Sequence, residues 1–436
     1  IAENTVFRNN RRSVHALNYK NFHPVNLKDM DNRTSFTRCT FEVDENYHGA
    51  ETLYKHVDLA LVNGVKFNAC KFILSPGAPF TSGYNMAIGS YSAGFSATGI
   101  CTVFGQYECL SYDSCSFTGF HWAINAVNAS QTTNTFNVGH SIFNNNAFGI
   151  HTSNINNFTV LNSEFYLGYN EPESEPCDAE GKSASSYGIH MTGCTGFAIE
   201  ENYFTKASGA PQGNYTGILI AESQSTDQVY RNTFNGLSYG NYAVGINHVP
   251  NDVFHGLAYF CNENTGNFAD FFVEPDNDEQ KISGIQSKQG DDNFVTGNTF
   301  TSTGNTWHFY NGGDYLVGYY YCNYCDDESP DETKIFQITD KPKTFSNNCP
   351  SHYGGGGGST EQSIVLTTSE KQEAELEFAV NLSNYNGVKT LYDDLKDGGN
   401  TDAVIADIEN AWPTDTWELR AELLGKSPHL SMEVLK

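Results

Sequence analysis

Two adjacent acids, Asp291 and Asp292, are the side chains best suited to hydrolytic chemistry on a sugar. Cleavage of a glycosidic bond needs two carboxyl groups, about 5–10 Å apart, that flank the bond. Glu200 and Glu201 are the next candidates. The glycine and asparagine around the first pair are, however, more typical of a solvated turn. The chain also lacks the acidic pairs with Gly-His and Arg-x-Lys of pectin-degrading hydrolases, and the basic and calcium-binding set of a lyase.

A second cluster could bind a metal ion. Cys322-x2-Cys325, followed by Cys349-x2-His352, has the ligand set of a Cys3His zinc site. The chain has 11 cysteines, which is typical of an oxidising exterior, so we favour disulfides over zinc, with Cys322 or Cys325 joined to Cys349. Other pairings that could close loops are Cys177 with Cys194, and Cys101 with Cys109 or Cys115.

Aromatic side chains offer a third chemistry, since their rings stack on sugars and on apolar surfaces. We expect a ligand-binding face built from tyrosines, or else rings that stack between neighbouring repeats; the named candidates are Tyr239, Tyr242, Tyr315 and Tyr319. His151 and His190 each follow Gly-Ile in matching phrases. They could act as acid and base in a groove, but their matching phase favours a polar ladder on an outer face.

The charge balance limits the partners. Lys and Arg number 24 and Asp and Glu 51, so the net charge is 24 − 51 = −27. Without a basic patch, such a chain would be repelled by phosphates, and we expect no nucleic-acid partner. Acidic loops at residues 171–175, 276–279 and 326–328 could bind Ca²⁺ weakly, although none matches a complete calcium motif. Apart from these calcium and zinc candidates, we predict no cofactor.

A short repeat must position these residues. A small or polar residue, a variable residue and phenylalanine recur along the chain, ending at Phe7, Phe41, Phe72, Phe117, Phe143, Phe165, Phe204, Phe234 and Phe300. In phase with them run Phe-Gly-Ile-His at 148–151, Tyr-Gly-Ile-His at 187–190, Thr-Gly-Ile at 216–218 and Val-Gly-Ile at 244–246, where glycine permits a tight bend. The pattern predicts an all-β right-handed parallel β-helix, a solenoid whose turns stack to form the core.

The repeat ends before a change in composition. We predict a β-helix with inserted loops over residues 1–348, a Cys- and Gly-rich linker over 349–360, and a small α-helical module over 361–436. Thr401 is the expected N-cap of one helix in this module. No apolar run reaches the ~20 residues that span a bilayer, so we expect no transmembrane segment. The abrupt ends of the pattern indicate a piece of a longer polypeptide.

Two sets of residues resemble a known family. The phrases Asn-Thr-Phe and Phe-Gly-Ile-His resemble the right-handed parallel β-helix repeats of large secreted proteins. Residues 411–431 are similar to a segment that follows such repeats in cell-surface proteins of Bacteroidota. The resemblance implies export by the type IX secretion system and roles in adhesion or gliding. The sorting domain of that family is not in this sequence, and the resemblance supplies no catalytic residue.

These observations predict a non-catalytic protein, extracellular or at the cell surface: an adhesin or a rigid stalk within a larger secreted polypeptide. Its expected partners are surface glycans or other cell-surface or secretion-system proteins. One alternative is a polysaccharide-active β-helix enzyme, either a glycoside hydrolase or a lyase, that uses Asp291 and Asp292. Another is a cargo of a secretion system without a binding role of its own.

Overall fold

The computed structural model contains two compact units, Ile1–Gly357 and Gly358–Lys436. Their boundary falls in the run of five glycines at residues 354–358. The structure describes the chain except for residues 18–33, 50–54, 79–84, 105–108, 130–133, 170–183, 276–281, 303, 305, 326–328, 353–395, 411–418, 421–422, 424–429, 432–433 and 436.

Three long parallel sheets make up most of the first unit. Sheet A contains β1 (Ala2–Glu3), β4 (Ser35–Thr37), β7 (Val65–Asn68), β10 (Phe95–Thr98), β15 (Phe136–Gly139), β18 (Thr159–Leu161), β21 (Ala198–Glu200), β24 (Gln228–Tyr230) and β29 (Ala258–Phe260). Sheet B contains β2 (Val6–Arg8), β5 (Thr40–Val43), β8 (Lys71–Leu74), β13 (Cys115–Thr118), β16 (Ser141–Asn144), β19 (Glu164–Leu167), β22 (Tyr203–Lys206), β25 (Thr233–Asn235) and β30 (Glu263–Thr265). Sheet C contains β3 (Val14–Ala16), β6 (Lys55–Ala60), β9 (Met86–Tyr91), β14 (Trp122–Val127), β17 (Phe148–Ser153), β20 (Ala184–Thr192), β23 (Gly213–Ala221), β26 (Tyr239–Val244), β31 (Ala269–Glu274), β33 (Trp307–Asn311) and β35 (Ile335–Phe336).

Smaller elements complete the unit. Sheet D is parallel and contains β32 (Lys288–Gln289), β34 (Val317–Cys322) and β36 (Ile338–Lys343). Two antiparallel hairpins project between turns: β11 (Ile100–Phe104) with β12 (Cys109–Asp113), and β27 (His248–Val249) with β28 (Asp252–Gly256). A 3₁₀ helix covers Glu332–Lys334.

The chain passes from sheet to sheet in a repeating order. The first strand lies in sheet A, the second in B, the third in C and the fourth again in A, where it pairs with the first in parallel. Each circuit therefore adds one strand to each sheet. The prediction of an all-β, solenoid-like fold of parallel sheets is confirmed.

The repeated phenylalanine forms a column inside sheet B. Successive rings from Phe7 to Phe234 stack with their centroids 4.6–5.0 Å apart. Full burial of each such ring contributes about 1.5–3 kcal/mol. The column stops in the next strand, where Asn264 pairs with Phe234. Phe300 follows the repeat phrase but lies outside the strands.

A second buried column, of small polar residues, lies two residues before the stacked phenylalanines. Cys39, Cys70 and Cys115 begin it as buried free thiols, and Ser141 and Ser163 follow. Asparagines continue it: the N–H of Asn202 donates to Oδ1 of Asn232 at 3.0 Å, and that of Asn232 to Asn262 at 3.0 Å. These amides satisfy backbone groups that face the interior, where an unmade hydrogen bond is costly.

Glycine occupies these phrases for a reason other than the predicted tight bend. Gly149, Gly188 and Gly217 lie within strands, and a Cβ on Gly149 would meet the carbonyl oxygen of Gly188 at 2.6 Å and the Phe165 ring at 2.9 Å. Glycine is therefore required by close packing. The phrase at 244–246 was wrongly aligned, because Ile218 pairs with Asn241, which makes Gly240 the fourth member of the column.

The described part of the second unit contains a 3₁₀ turn, Lys396–Gly399, and helix α1, Thr401–Asn410. The predicted cap is displaced by one residue. Oδ1 of Asn400 accepts the N–H of Ala403 at 3.1 Å, whereas the hydroxyl of Thr401 donates to Asp397. Asn400 therefore caps the helix, and most of the predicted helical module lies outside the described residues.

The asparagine column generates a stability prediction. Asn232→Ala removes the acceptor of the Asn202 N–H and the amide that donates to Ile199 O. We expect the free energy of unfolding to fall by about 1–3 kcal/mol, because a buried N–H loses its partner. Urea unfolding followed by circular dichroism measures it. Asn137→Ala, at an exposed position of sheet A, is the matched control, and equal midpoints for the two variants would refute the role of the column.

Candidate functional site

The outer side of sheet C carries a column of aromatic residues. The parallel register aligns Trp122, Phe148, Tyr187, Thr216, Tyr239, Ala269 and Trp307. Phe148 and Tyr187 stack with their centroids 5.0 Å apart and their planes 8° from parallel. Five of the seven positions in this column are therefore aromatic.

A second column runs beside the first, three residues further along each strand. It contains Asn125, His151, His190, Leu219, Tyr242, Phe272, Tyr310 and Phe336. Phe272 stacks on Tyr310 at 4.6 Å, and Tyr310 stacks on Phe336 at 4.9 Å. The columns also touch each other, since the rings of Tyr239 and Tyr242 lie 5.1 Å apart. We call the ring-bearing positions of both columns the aromatic face.

A break in strict alternation explains why both columns of rings face outward. Two consecutive positions between the columns are buried in each strand, as at Ala123 and Ile124 in β14. The rings of the aromatic face are mostly half-buried, because each is covered by the turns above and below but open on its outer side. The face spans eight strands, or roughly 34 Å at the usual strand spacing. It is thus an extended, ring-lined strip.

The strip has one interruption. At the level of β23, Thr216 and Leu219 replace aromatic residues in both columns. This divides the face into a half around Trp122, Phe148 and the two histidines, and a half that starts at Tyr239. Each half offers adjacent rings at the spacing of neighbouring strands.

One carboxylate lies against the second half. The hydroxyl of Tyr242 donates to the carboxylate of Glu274. Burial and this hydrogen bond raise the pKa of Tyr242, and burial followed by the charge of Glu274 raises the pKa of Tyr239. Both phenols therefore remain neutral over the physiological pH range. The proton of Tyr242 is donated to Glu274, so towards a sugar its oxygen acts as an acceptor of hydroxyl groups.

The two histidines form a stacked pair in the polar ladder that their phase favoured. Their rings lie 5.2 Å apart, and Nδ1 of His151 is 2.9 Å from the side-chain oxygen of Asn125. Burial lowers the pKa of His151, and burial together with the neighbouring His151 lowers the pKa of His190 to about 4. At neutral pH both rings are uncharged and continue the flat surface of the face.

The four predicted tyrosines do not lie together in the structure. Tyr239 and Tyr242 belong to the aromatic face. Tyr319 is wrong as a surface ligand, because it is buried in the core and its hydroxyl accepts from the amide of Asn298 at 3.1 Å. Tyr315 lies away from the face, with its hydroxyl bonded to the carbonyl of Ile285.

The predicted acids do not form a pair poised for catalysis. The carboxylate of Asp291 accepts the N–H groups of Asn293 and Phe294 at 2.6 and 2.8 Å, which makes it the cap of its own turn. Asp292 is exposed and paired with Lys343, and that hydrogen bond lowers the pKa of its carboxyl. A general acid would instead need a raised pKa.

The next two candidate acids, Glu200 and Glu201, are also occupied. Glu201 pairs with Arg231 at 2.7 Å. Glu200 is buried and accepts both the N–H and the ring of His352, at 2.7 and 2.9 Å. Each carboxylate therefore has a basic or backbone partner in place of an open reaction site.

The predicted zinc ligands are divided among different contacts. Cys322 pairs with Cys325, and Cys349 pairs with Cys261 rather than with either of them. His352 contacts Glu200 instead. The predicted pairing to Cys349 was wrong, since the last segment folds back towards sheet A and brings Cys349 to the turn after β29. Within the described ranges, no group of three or more potential ligands assembles for a metal ion.

The remaining pairings can also be located. Cys101 pairs with Cys109 across the β11–β12 hairpin, one of the two predicted choices. Cys194 is a buried free thiol, and its predicted partner, Cys177, lies outside the described residues. The three acidic loops considered for Ca²⁺ lie outside the described residues.

In the part of the chain that is described, no helix is long and apolar enough to cross a membrane.

Most of the aromatic face was not predicted. Sequence reasoning named Tyr239 and Tyr242 but did not assign Trp122, Phe272, Trp307, Tyr310 and Phe336 to any site. A signal was present for Phe148 and Tyr187, because each immediately precedes a Gly-Ile phrase. Alignment of those phrases would have shown an aromatic column, whereas the residues beyond β26 follow no common phrase.

Comparison with known proteins assigns no family to the chain. No protein-family model matches it, and no curated protein matches it significantly. Two features of the structure remain as indications of what kind of protein this is. These are the stack of parallel sheets and the aromatic strip on sheet C.

The histidine pair generates a pH prediction. An unfolded histidine titrates near pH 6.5, whereas the pKa of folded His190 is about 4. Between these values the unfolded chain binds the extra proton, so stability falls as the pH drops through this window. We expect His190→Gln to remove about 1–3 kcal/mol of that fall. Urea unfolding at pH 7 and 4.5 measures it, with the exposed His255→Gln as control; an unchanged pH dependence in His190→Gln would contradict the assignment.

Proposed function

We propose that this chain is a non-catalytic, extracellular, right-handed parallel β-helix that binds glycan chains along its aromatic face. The observation that carries the proposal is the strip of outward rings along eight strands of sheet C, which is interrupted only at β23. Right-handed winding follows the strong general preference for right-handed crossovers between parallel strands. In this view the solenoid is both the rigid stalk and the binding surface of an adhesin.

The shape and chemistry of the strip suit a sugar chain. Pyranose rings have apolar faces that lie on aromatic rings, while their hydroxyls bond with neighbouring phenols and amides. Rings repeated from strand to strand offer many weak contacts in a row, which favours a polymer over a single sugar. Since the chain carries a net charge of −27, the preferred polymer along this face is uncharged.

The arrangement of acids favours binding over cleavage. Glu274 lies at the edge of the second half of the strip, and Glu222 follows β23, two strands away in sheet C. The carboxylate of Glu222 already accepts the N–H of Ile246 at 3.2 Å and the amide of Gln224 at 3.1 Å, and that of Glu274 accepts from Tyr242. Along the described part of the face, these acids therefore serve as acceptors for the protein itself rather than as a free pair for glycoside hydrolysis.

Disulfides support the extracellular setting. Three bonds form among the described cysteines, and such bonds persist mainly in oxidising compartments. The proposal extends to export by the type IX secretion system, which the resemblance to surface proteins of Bacteroidota implies. Surface display would give an aromatic binding strip access to polysaccharides outside the cell.

A binding assay tests the proposal. The purified chain is incubated with uncharged polysaccharides such as cellulose, mannan and β-glucan, and both retained protein and new reducing ends are measured. We expect retention without product, weakened about five- to tenfold or more in Tyr239→Ala/Trp307→Ala, because each lost stacking contact is worth roughly 0.5–1.5 kcal/mol.

The control is Phe104→Ala, which removes an exposed ring from the β11–β12 hairpin, outside the face. Equal retention of wild type and double variant would overturn the assignment of the face. Release of reducing ends, absent in Asp291→Asn/Asp292→Asn, would replace binding by an enzymatic function.

A further inference from the structure

A separate groove lies on sheet D and shares no lining residue with the aromatic face. It has a volume of about 370 Å³, within the range of small-ligand sites. Its floor is set by the register of sheet D, in which Lys288 pairs with Gly318, and Tyr320 pairs with Lys341. We call the depression bounded by these four residues, Phe254 and Leu316 the lysine groove.

The walls of the lysine groove are apolar. Phe254, on the β27–β28 hairpin, is 59% exposed, and Leu316, just before β34, is 63% exposed. The ammonium of Lys288 lies 5.6 Å from the centre of the Phe254 ring. Gly318 contributes no side chain, which leaves the centre of the floor open. A flat, partly apolar ligand can therefore lie against the walls.

Positive charge lines the same groove. Among the described residues, no carboxylate lies within salt-bridge distance of Lys288 or Lys341, whereas the neighbouring Lys343 pairs with Asp292. The charges of Lys288 and Lys341 also help to lower the pKa of Asp292, so three lysines share this one carboxylate. Two ammonium groups without a salt bridge, one of them over the exposed ring of Phe254, mark a site for an anion.

The spacing of the lysines fits a small anionic group. Lys288 and Lys341 lie two strands and two residues apart in sheet D, which places their Cα atoms roughly 11–12 Å from each other. Gly318 lies between them. A carboxylate above this glycine can accept hydrogen bonds from both side chains, and such charge-assisted bonds are stronger than neutral ones.

We propose that the lysine groove binds a hexuronate, a sugar ring that carries a carboxylate. The carboxylate lies between Lys288 and Lys341, and the ring packs against the exposed Phe254. The overall negative charge does not prevent this, because repulsion from distant acids is screened beyond about 8–10 Å at physiological salt. The site is independent of the proposed function, since it shares no residue with the aromatic face.

Calorimetry with the full chain tests the proposal. Trigalacturonate is the probe, and the uncharged galactose trimer is its reference. We expect binding of the acidic trimer only, weakened at least tenfold in Lys288→Gln/Lys341→Gln. Lys66→Gln/Lys71→Gln, which removes two exposed lysines from sheets A and B, should bind as wild type does. Equal binding of both trimers, or equal loss in both lysine pairs, would overturn the proposal.

A second variant blocks the groove without removing charge. A Cβ on Gly318 would meet no atom closer than 3.8 Å, so Gly318→Leu should fold and fill the floor. We expect an unchanged melting temperature with loss of trigalacturonate binding. Full binding in this variant would refute the assigned position.

Two further arms separate the alternatives. Tyr239→Ala/Trp307→Ala should retain trigalacturonate binding even if it loses uncharged polymers, which distinguishes this site from the aromatic face. Inorganic phosphate at matched ionic strength should not displace the trimer. Complete displacement would show a general anion site and would overturn the assignment to a sugar.

Discussion

The in-register stacking of parallel strands is the constraint on which the rest of this structure depends. Backbone hydrogen bonds fix each turn of the first unit directly above the last, at the spacing of neighbouring strands. Any residue type that recurs at one place in the repeat therefore becomes a continuous column. The phenylalanine stack from Phe7 to Phe234 and the amide chain from Asn202 to Asn298 are two such columns.

The same constraint builds the core and the surface. Each strand has a fixed pattern of inward and outward side chains, and stacking repeats that pattern from turn to turn. On sheet C, isoleucines fill the interior while rings such as Phe148, Tyr187 and Tyr239 align outside. The sheet by itself positions the candidate binding face, because the rings follow the register and spacing of its strands, and no loop is needed.

Where the stacking changes, a different site appears. After β31 the chain leaves the order of sheets A and B and forms sheet D, with a hairpin beside it. There, short strands place Lys288 and Lys341 around the bare floor at Gly318, and disulfides such as Cys261–Cys349 fasten the returning segment. The two candidate sites therefore have separate origins, one in the regularity of the solenoid and one in its interruption.

The sequence by itself determined the repeat and the parallel all-β class, because local spacing fixes which residues recur in phase. It could not determine the partner of Cys349 or the burial of Tyr319, which depend on where a distant segment folds back. Nor did it distinguish Gly149 as a packing requirement from a bend. Only the tertiary structure aligned Trp122, Phe272 and Trp307 on one face, since loops of unequal length hide their common register from the sequence.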